Sequence, residues 1–452
     1  MQQKKSYGLG PFVFLTFIYF LVGFLTTING QLQGPLKIAF LQDAGDMKNT
    51  FTTMLSLFFF LGYLLNSSLA GKWIDKKGYQ TTMVRALVCM VAALLCYGLS
   101  ASPLSIVHYP LSITLPPAGG PGGACSIPFG FVVFLLGSFL MGTSAAILQV
   151  VINPYVSAYE LPGTQPAQRL NIVTAVNSFG TTIAPFFVTL VIFAGVSLDE
   201  VTASQVFVPF MVMVAVAVLV AFSAGRMSLP DLSATRADGG QKLERSIWSF
   251  RHLTLGVIAI FFYVGTEVSI GSNLNLHAME LIEKGNGLSF FGMKRLVIGG
   301  MDMGIPALLA TLYWGGFLVG RFVSTFFSNF NPRKVLIATT IIATLLILAA
   351  IQTENLWLLC AVGLVHSVMW SCIFTLSIRG LREYTSKASG VFMMGVFGGA
   401  VFPFLQGVCA DVLNSWQYTW IIALLCELVM LSYGLWGYKV KDQWCLDNIN
   451  EE

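Results

Sequence analysis

Twelve apolar stretches recur along the chain, each long enough to cross about 30 Å of hydrocarbon as a helix. They lie near residues 11–33, 50–70, 82–101, 128–152, 171–194, 205–224, 252–275, 305–327, 334–351, 356–378, 387–410 and 417–438. The pattern predicts an all-α membrane protein of twelve transmembrane helices in two pseudo-symmetric six-helix halves. The breaks in the pattern carry the organisation. Residues 225–251 (GRMSLPDLSATRADGGQKLERSIWSFR) are the longest basic, polar connection and fall at the midpoint. They are expected to be a cytoplasmic linker between an N-terminal half, 1–224, and a C-terminal half with a short tail, 252–452. Residues 102–127 contain no Lys, Arg, Asp or Glu and are rich in Pro and Gly, which predicts an external loop without regular helix. A third break, roughly 276–304, is amphipathic, with a short surface helix expected around His277 to Glu283.

The halves echo one another. Asn177-Ser-Phe-Gly180 followed by Pro185-Phe-Phe is matched by Gly395-Val-Phe-Gly398 followed by Pro403-Phe-Leu. Gly62-Tyr63 and the turn at Gly78 are matched by Gly316-Phe317 and the turn at Pro332. Internal duplication, with helices interrupted by Gly and Pro, is what a secondary transporter needs if its halves rock about a central site. Between the second and third stretches stands Gly71-Lys-Trp-Ile-Asp75-Lys76-Lys77-Gly78. Its glycines permit a tight bend, and Asp75 among lysines suits either a helix cap or a charged latch for gating. The corresponding turn in the second half, Asn331-Pro332-Arg333-Lys334, lacks both the acid and the flanking glycines.

Composition changes the picture only by fixing the solvent. Of 452 residues, 56% are hydrophobic and 10% charged, against about 25% charged in soluble domains. The formal net charge of +4 reflects topology and gives no reason to expect nucleic-acid binding. With the N-terminus inside, basic residues such as Lys76, Lys77, Arg169, Arg333, Lys387 and Lys439 collect on the cytoplasmic side. Lys37, Lys48, Lys284, Lys294 and Arg295 remain outside, so both termini are expected in the cytoplasm. The first stretch has no small-residue cleavage signature and reads as a retained helix. The eight cysteines show no CxxC or zinc spacing. No phosphate-binding Gly loop followed by Lys and Ser or Thr is present. ATP-driven pumping, metal chemistry and membrane enzymology are therefore disfavoured.

Glu267 lies in the apolar run TLGVIAIFFYVGTEVSIGSNLN, residues 254–275. A carboxylate at that depth costs several kcal/mol unless it pairs or faces water, which marks a solute or ion path. Glu427 is expected on the outside of the bundle, paired or snorkelling, and Arg321 near the cytoplasmic end of the eighth helix is expected to behave likewise.

Three motifs carry a resemblance: Leu148-Gln149-Val-Val-Ile-Asn153-Pro154-Tyr155-Val156, Phe262-Tyr-Val-Gly-Thr-Glu267-Val-Ser-Ile-Gly-Ser272 and Asn177-Ser-Phe-Gly180. Together they resemble the fourth-, seventh- and fifth-helix motifs of the fucose-galactose-glucose permease branch of the major facilitator superfamily, and of its bacterial glucose/galactose transporters in particular. The resemblance spans nearly the whole chain. It implies import of a monosaccharide, glucose or galactose first, by alternating access in a bacterial inner membrane, with no cofactor, a co-transported sodium ion or proton, and a functional monomer among membrane lipids. Proton-coupled fucose permeases carry acids in the first and fourth helices where Gly30 and Gln149 stand here, so sodium coupling and uncoupled uniport gain weight. A non-transporting sugar sensor is the alternative from another class.

The residues suit that task. Gln149 and Asn153 are one helical turn apart and share a face, as do Asn29 and Gln33, and their neutral amides match sugar hydroxyls. Asn177, Asn273 and Asn275 add amides on other helices, and the alternative use for each is interhelical bonding. Trp370 offers a broad face to a pyranose ring or to the core. Glu267 is expected to bind sugar hydroxyls, to couple proton movement, or both, with a structural ion pair as the alternative.

Overall fold

The computed structural model describes residues 8–42, 44–102, 112–115, 125–159, 161–162, 164, 166–193, 202–227, 245–285, 287–293, 295–298, 301–324, 331–381 and 384–450. Hydrocarbon leaves backbone N–H and C=O groups no partner but the chain itself, so each apolar stretch forms a helix. Twelve helices among the described residues are long and apolar enough to cross a membrane. They are α1 (Leu9–Gln31), α2 (Gly45–Ser67), α3 (Lys76–Ser100), α4 (Phe129–Asn153), α5 (Ile172–Ile192), α6 (Ser204–Arg226), α7 (Arg251–Glu283), α8 (Ile305–Val323), α9 (Pro332–Thr353), α10 (Leu356–Ile378), α11 (Lys387–Leu413) and α12 (Gln417–Gly437). Two residues into α3 the helical path is broken at Gly78, with φ 80° and ψ 170°. An L side chain rarely adopts that conformation. Asn331 starts α9 by accepting a hydrogen bond from the Arg333 backbone N–H at 3.0 Å, with Pro332 in the first turn.

The chain divides into two compact units, 1–235 with 278–311, and 236–277 with 312–452. Each repeats the same packing devices. In the first unit Gly142 of α4 sits against the Phe59 carbonyl of α2, and Gly62 of α2 against the Phe139 carbonyl and Thr143 N–H of α4. In the second, Gly363 of α10 sits against the Tyr313 carbonyl of α8, and Gly316 of α8 against the backbone of Gly363 and Leu364. Gly180 of α5 likewise meets the Phe20 carbonyl of α1, as Gly398 of α11 meets the Phe261 carbonyl of α7. A methyl group at these glycines would collide with backbone. Lipid supplies no hydrophobic force between helices, so such close contact is what holds them. Helix ends repeat too. Gln80, at the start of α3, donates to the Ala224 and Met227 carbonyls at the end of α6 at 2.9 and 2.6 Å. Arg333, at the start of α9, donates to the Gly434 carbonyl in the last turn of α12 at 3.3 Å.

One sequence expectation changes, and two strand pairs appear that the sequence did not predict. Helix α7 continues to Glu283, so His277 to Glu283 form its last turns and not a separate surface helix; Leu276, Ala278, Met279 and Leu281 are buried and extend its apolar face. The 102–127 segment contains no helix among its described residues but does hold an antiparallel pair, β1 (Ser112–Leu115) and β2 (Cys125–Pro128), with Ser112 opposite Pro128. A second pair, β3 (Arg295–Ile298) and β4 (Met301–Gly304), lies between α7 and α8. Pairing satisfies backbone groups that a loop would leave to water.

The second unit also docks the chain end. Arg245 forms a two-point pair with Asp442 at 3.2 and 2.8 Å, and the Arg245 backbone N–H donates to the Tyr384 hydroxyl at 3.3 Å. Beneath the pair, Ile247, Phe250, Leu253, Leu381, Tyr384 and Cys445 form a buried cluster. The Arg245 guanidinium holds the Asp442 carboxyl below its usual range. Burial pushes the Cys445 thiol up to about 11.

Candidate functional site

In the first unit the amides divide by what they bond. Asn29 of α1 is buried, and its Oδ1 accepts from the Tyr97 hydroxyl of α3 and the Ser138 hydroxyl of α4, both at 2.7 Å. Asn177 of α5 donates to the Tyr19 carbonyl of α1 at 2.8 Å, beside Gly23. Asn29 Oδ1 and Asn177 Nδ2 thus each join one helix to another. Gln33 stands just beyond α1, at the start of a short helix, Gln33–Phe40, where its Nε2 donates to Ser56 of α2 at 2.8 Å. Its Oε1 is buried with no bond to a protein group among the described residues. Gln149 of α4 is partly buried and donates to the Tyr63 hydroxyl of α2 at 2.8 Å. Asn153, one turn on, is partly buried as well. Asp75 has its side chain outside the described residues; near it, the Arg85 guanidinium lies over the Trp73 ring at 5.3 Å.

The second unit gathers more polar chemistry than its amides suggested. On α7, Glu267 is partly buried beside the Tyr263 hydroxyl, with Arg321 and His366 within electrostatic reach. The Tyr313 hydroxyl of α8 donates to the Glu267 backbone carbonyl at 3.0 Å, and the Tyr263 hydroxyl to the His366 backbone carbonyl of α10 at 3.0 Å. His366 Nε2 lies 2.7 Å from Glu427 Oε1 of α12, and both side chains are fully buried. The sequence expectation for Glu427 is thereby corrected. The face of α12 bearing Ala423, Cys426, Glu427 and Met430 is buried, so the carboxyl finds an imidazole and not the outside of the bundle. Arg321 is partly buried, its guanidinium 5.6 Å from the Phe317 ring centre.

Further along α7, Asn273 donates to Gln406 Oε1 at 2.9 Å and to the Pro403 carbonyl at 3.2 Å, and Gln406 passes the chain to Thr419 at 3.0 Å. Asn275 is buried, with its Oδ1 bonded to no protein group among the described residues. His277 accepts from the Trp420 indole N–H at 2.9 Å. Trp370 of α10 is partly buried, stacked on Phe374 at 5.3 Å and edge-on to Phe392 at 5.9 Å. No group of three or more His, Cys, Asp or Glu side chains able to hold a metal ion occurs among the described residues. An open groove lined by Val84, Val88, Val218, Phe222 and Arg226 is almost wholly apolar and offers nothing to a hydroxylated solute.

Sequence reasoning had not singled out His366, Tyr263, Tyr313 or Tyr63. The signal was available for His366, since an imidazole inside an apolar span is as notable as a carboxylate. The tyrosines carry no such signal, because their rings suit any helix core and only their partners reveal the hydroxyl's use.

Residues 15–395 match the Major Facilitator Superfamily. The chain is 29% identical over 443 residues to the glucose/galactose transporter of Brucella abortus, covering 97% of this chain and 96% of the relative. It is 30% identical over 445 residues to a putative glucose/galactose transporter of Helicobacter pylori, covering 95% and 97%. In structure it is similar to the Escherichia coli fucose:proton symporter FucP, with a TM-score of 0.61 at 23% identity over 94% of this chain and 98% of that one. Full-length sequence similarity, twelve spans and a repeated six-helix packing pattern identify the chain as a multi-pass membrane transport protein of the Major Facilitator Superfamily, in the branch of glucose/galactose transporters and fucose symporters.

Proposed function

We propose that this protein imports a hexose, glucose or galactose first among them, across a bacterial inner membrane by alternating access, with a cation as co-substrate and both termini in the cytoplasm. The observation that carries the reading is the similarity to glucose/galactose transporters along 95% or more of the chain. The side chains support it. Gln33, Gln149, Asn153 and Asn275 bring neutral amides into apolar surroundings, where each can trade water for sugar hydroxyls without carrying charge. Asn29, Asn177 and Asn273 hold the helices that present them. Glu267 supplies a charge-assisted bond to a hydroxyl, and Trp370 an aromatic wall. Asp75 belongs to the same proposal as a gating residue. The domain reading stays 1–224 and 252–452 about a linker at 225–251, working as a monomer.

A second reading, uncoupled uniport, is favoured by one observation. Gly30 and Gln149 stand where proton-coupled fucose permeases are acidic, so α1 and α4 offer no carboxyl to a proton. Counterflow of labelled hexose in proteoliposomes tests the sugar reading without any ion gradient. Labelled glucose or galactose is expected to enter vesicles preloaded with the unlabelled sugar, and Glu267→Gln to weaken both binding and exchange. A folded protein that exchanges no hexose would contradict the proposal.

A further inference from the structure

Away from their ends, the twelve spans hold only two carboxyls, Glu267 and Glu427, both in the second unit. The sugar-contact set leaves Glu427 unused. Its Oε1 lies 2.7 Å from His366 Nε2 with both side chains fully buried. At that distance a proton must lie between nitrogen and oxygen, because two facing lone pairs repel. The other ring nitrogen, Nδ1, lies 3.4 Å from the Tyr313 hydroxyl oxygen. The single hydrogen of that hydroxyl is directed to the Glu267 carbonyl. Tyr313 can therefore only accept from the ring, and Nδ1 is the donor. The pair then holds one proton more than a neutral imidazole beside a carboxylate, and that proton is shared by Nε2 and Oε1. The remaining carboxyl oxygen, Oε2, is buried and bonds no protein group among the described residues.

Glu267 of α7 interacts electrostatically with His366, and Tyr313 of α8 and Cys426 of α12 with Glu427; around them, Arg321 of α8 and Tyr263 of α7 interact with Glu267, and Cys360 of α10 with Tyr313. Arg321 is the permanent cation in the set, and Glu267 and Glu427 are the acids. With both acids ionised and a neutral imidazole, the set carries one negative charge in excess. A single proton shared by His366 and Glu427 removes it, and uncompensated charge inside a membrane protein is costly.

We propose that the His366–Glu427 pair is the proton-carrying site of this transporter, loaded and emptied once per sugar. The inference rests on the sugar-transport reading and names its coupling ion. Two tyrosines connect the pair to the sugar-contact set. Tyr313 joins the ring to the backbone of Glu267, and Tyr263, one turn before Glu267, bonds the His366 backbone. Loss of the shared proton leaves the neutral ring one hydrogen, which moves to Nε2 to face the carboxylate; Nδ1 then has no hydrogen to give Tyr313, so the α7 turn that carries Glu267 registers the protonation state. In the transport step no covalent bond forms: the proton enters from water on one side, resides between Nε2 and Oε1, and leaves to water on the other.

The test compares two readouts in the same proteoliposomes: counterflow without a gradient, and accumulation under an inward proton gradient or, separately, an inward sodium gradient. Wild type is expected to accumulate sugar under the proton gradient and to alkalinise a weakly buffered medium when sugar is added. His366→Gln and Glu427→Gln are each expected to keep exchanging sugar while losing accumulation by about tenfold or more, with no alkalinisation. If either variant fails to insert, Tyr313→Phe removes one hydroxyl and is expected to lower accumulation severalfold while exchange persists. Accumulation by these variants equal to wild type, or wild-type accumulation under sodium alone, overturns the proton site. Intact wild-type exchange with no response to a proton gradient overturns it as well and leaves the sugar reading standing. Absence of exchange with every hexose overturns that reading and the site with it.

Discussion

Asn29 Oδ1 is a single acceptor serving two hydroxyls from two other helices, so its value lies in what it joins. Tyr97→Phe removes one donor and keeps the ring packed on Phe134 at 4.3 Å. The expected cost is about 1 kcal/mol, read as a lower unfolding temperature in detergent with sugar exchange preserved. Gln149 is expected to behave oppositely. Gln149→Ala deletes an amide proposed to contact sugar, which should raise the half-saturating sugar concentration by about tenfold with little change in thermal stability; an unchanged sugar dependence contradicts that role. The sequence showed which residues were polar and deep but not what they bond. Tyr97 and Ser138 lie 68 and 109 residues from Asn29, and no helical period relates such distances. The same limit explains Glu427. Its burial depends on which face of α12 packs inward, and an almost uniformly apolar helix leaves that face unmarked.

Helices here are held by contact between backbones, and the glycines that permit it recur in both halves. Gly142→Leu in α4 and Gly363→Leu in α10 are each expected to force their helix off its partner, because the Phe59 and Tyr313 carbonyls occupy the space a side chain would need. Loss of a monodisperse peak in size-exclusion chromatography is the expected readout, and unchanged behaviour would contradict the packing. The spans and this duplication were legible, since length, hydropathy and the Gly-Pro echo are local signals. The hairpins were not, because a Pro- and Gly-rich segment with no charge shows little strand alternation. The extension of α7 was missed because Asn273, Asn275 and His277 read as a helix end, whereas all three are buried. Docking of the Gln443–Asn450 helix gives a pH dependence at this scale. Arg245 lowers the Asp442 carboxyl, so the pair contributes above the ordinary Asp range and is lost as pH falls through the lowered value. Hydrogen exchange in this helix should accelerate across that acid window. Asp442→Asn should reproduce the change at neutral pH and speed maleimide labelling of buried Cys445; equal labelling in both proteins would show that the pair does not hold the helix down.

The whole molecule combines twelve spans, two units built on one packing pattern, and a division of polar labour between them. Both units hold buried amides and hydroxyls, while both mid-span carboxyls and the His366 imidazole lie in the second. In the proposed coupled carrier, sugar recognition uses neutral donors and acceptors, whereas ion coupling uses a group that changes charge. Uptake of labelled glucose and galactose into proteoliposomes, under separately imposed proton and sodium gradients and with unlabelled hexoses as competitors, tests this most directly. The account predicts accumulation of at least one of these sugars above equilibrium under the proton gradient, with collapse to equilibration when the gradient is dissipated. No uptake of any hexose by folded protein in sealed vesicles would contradict it.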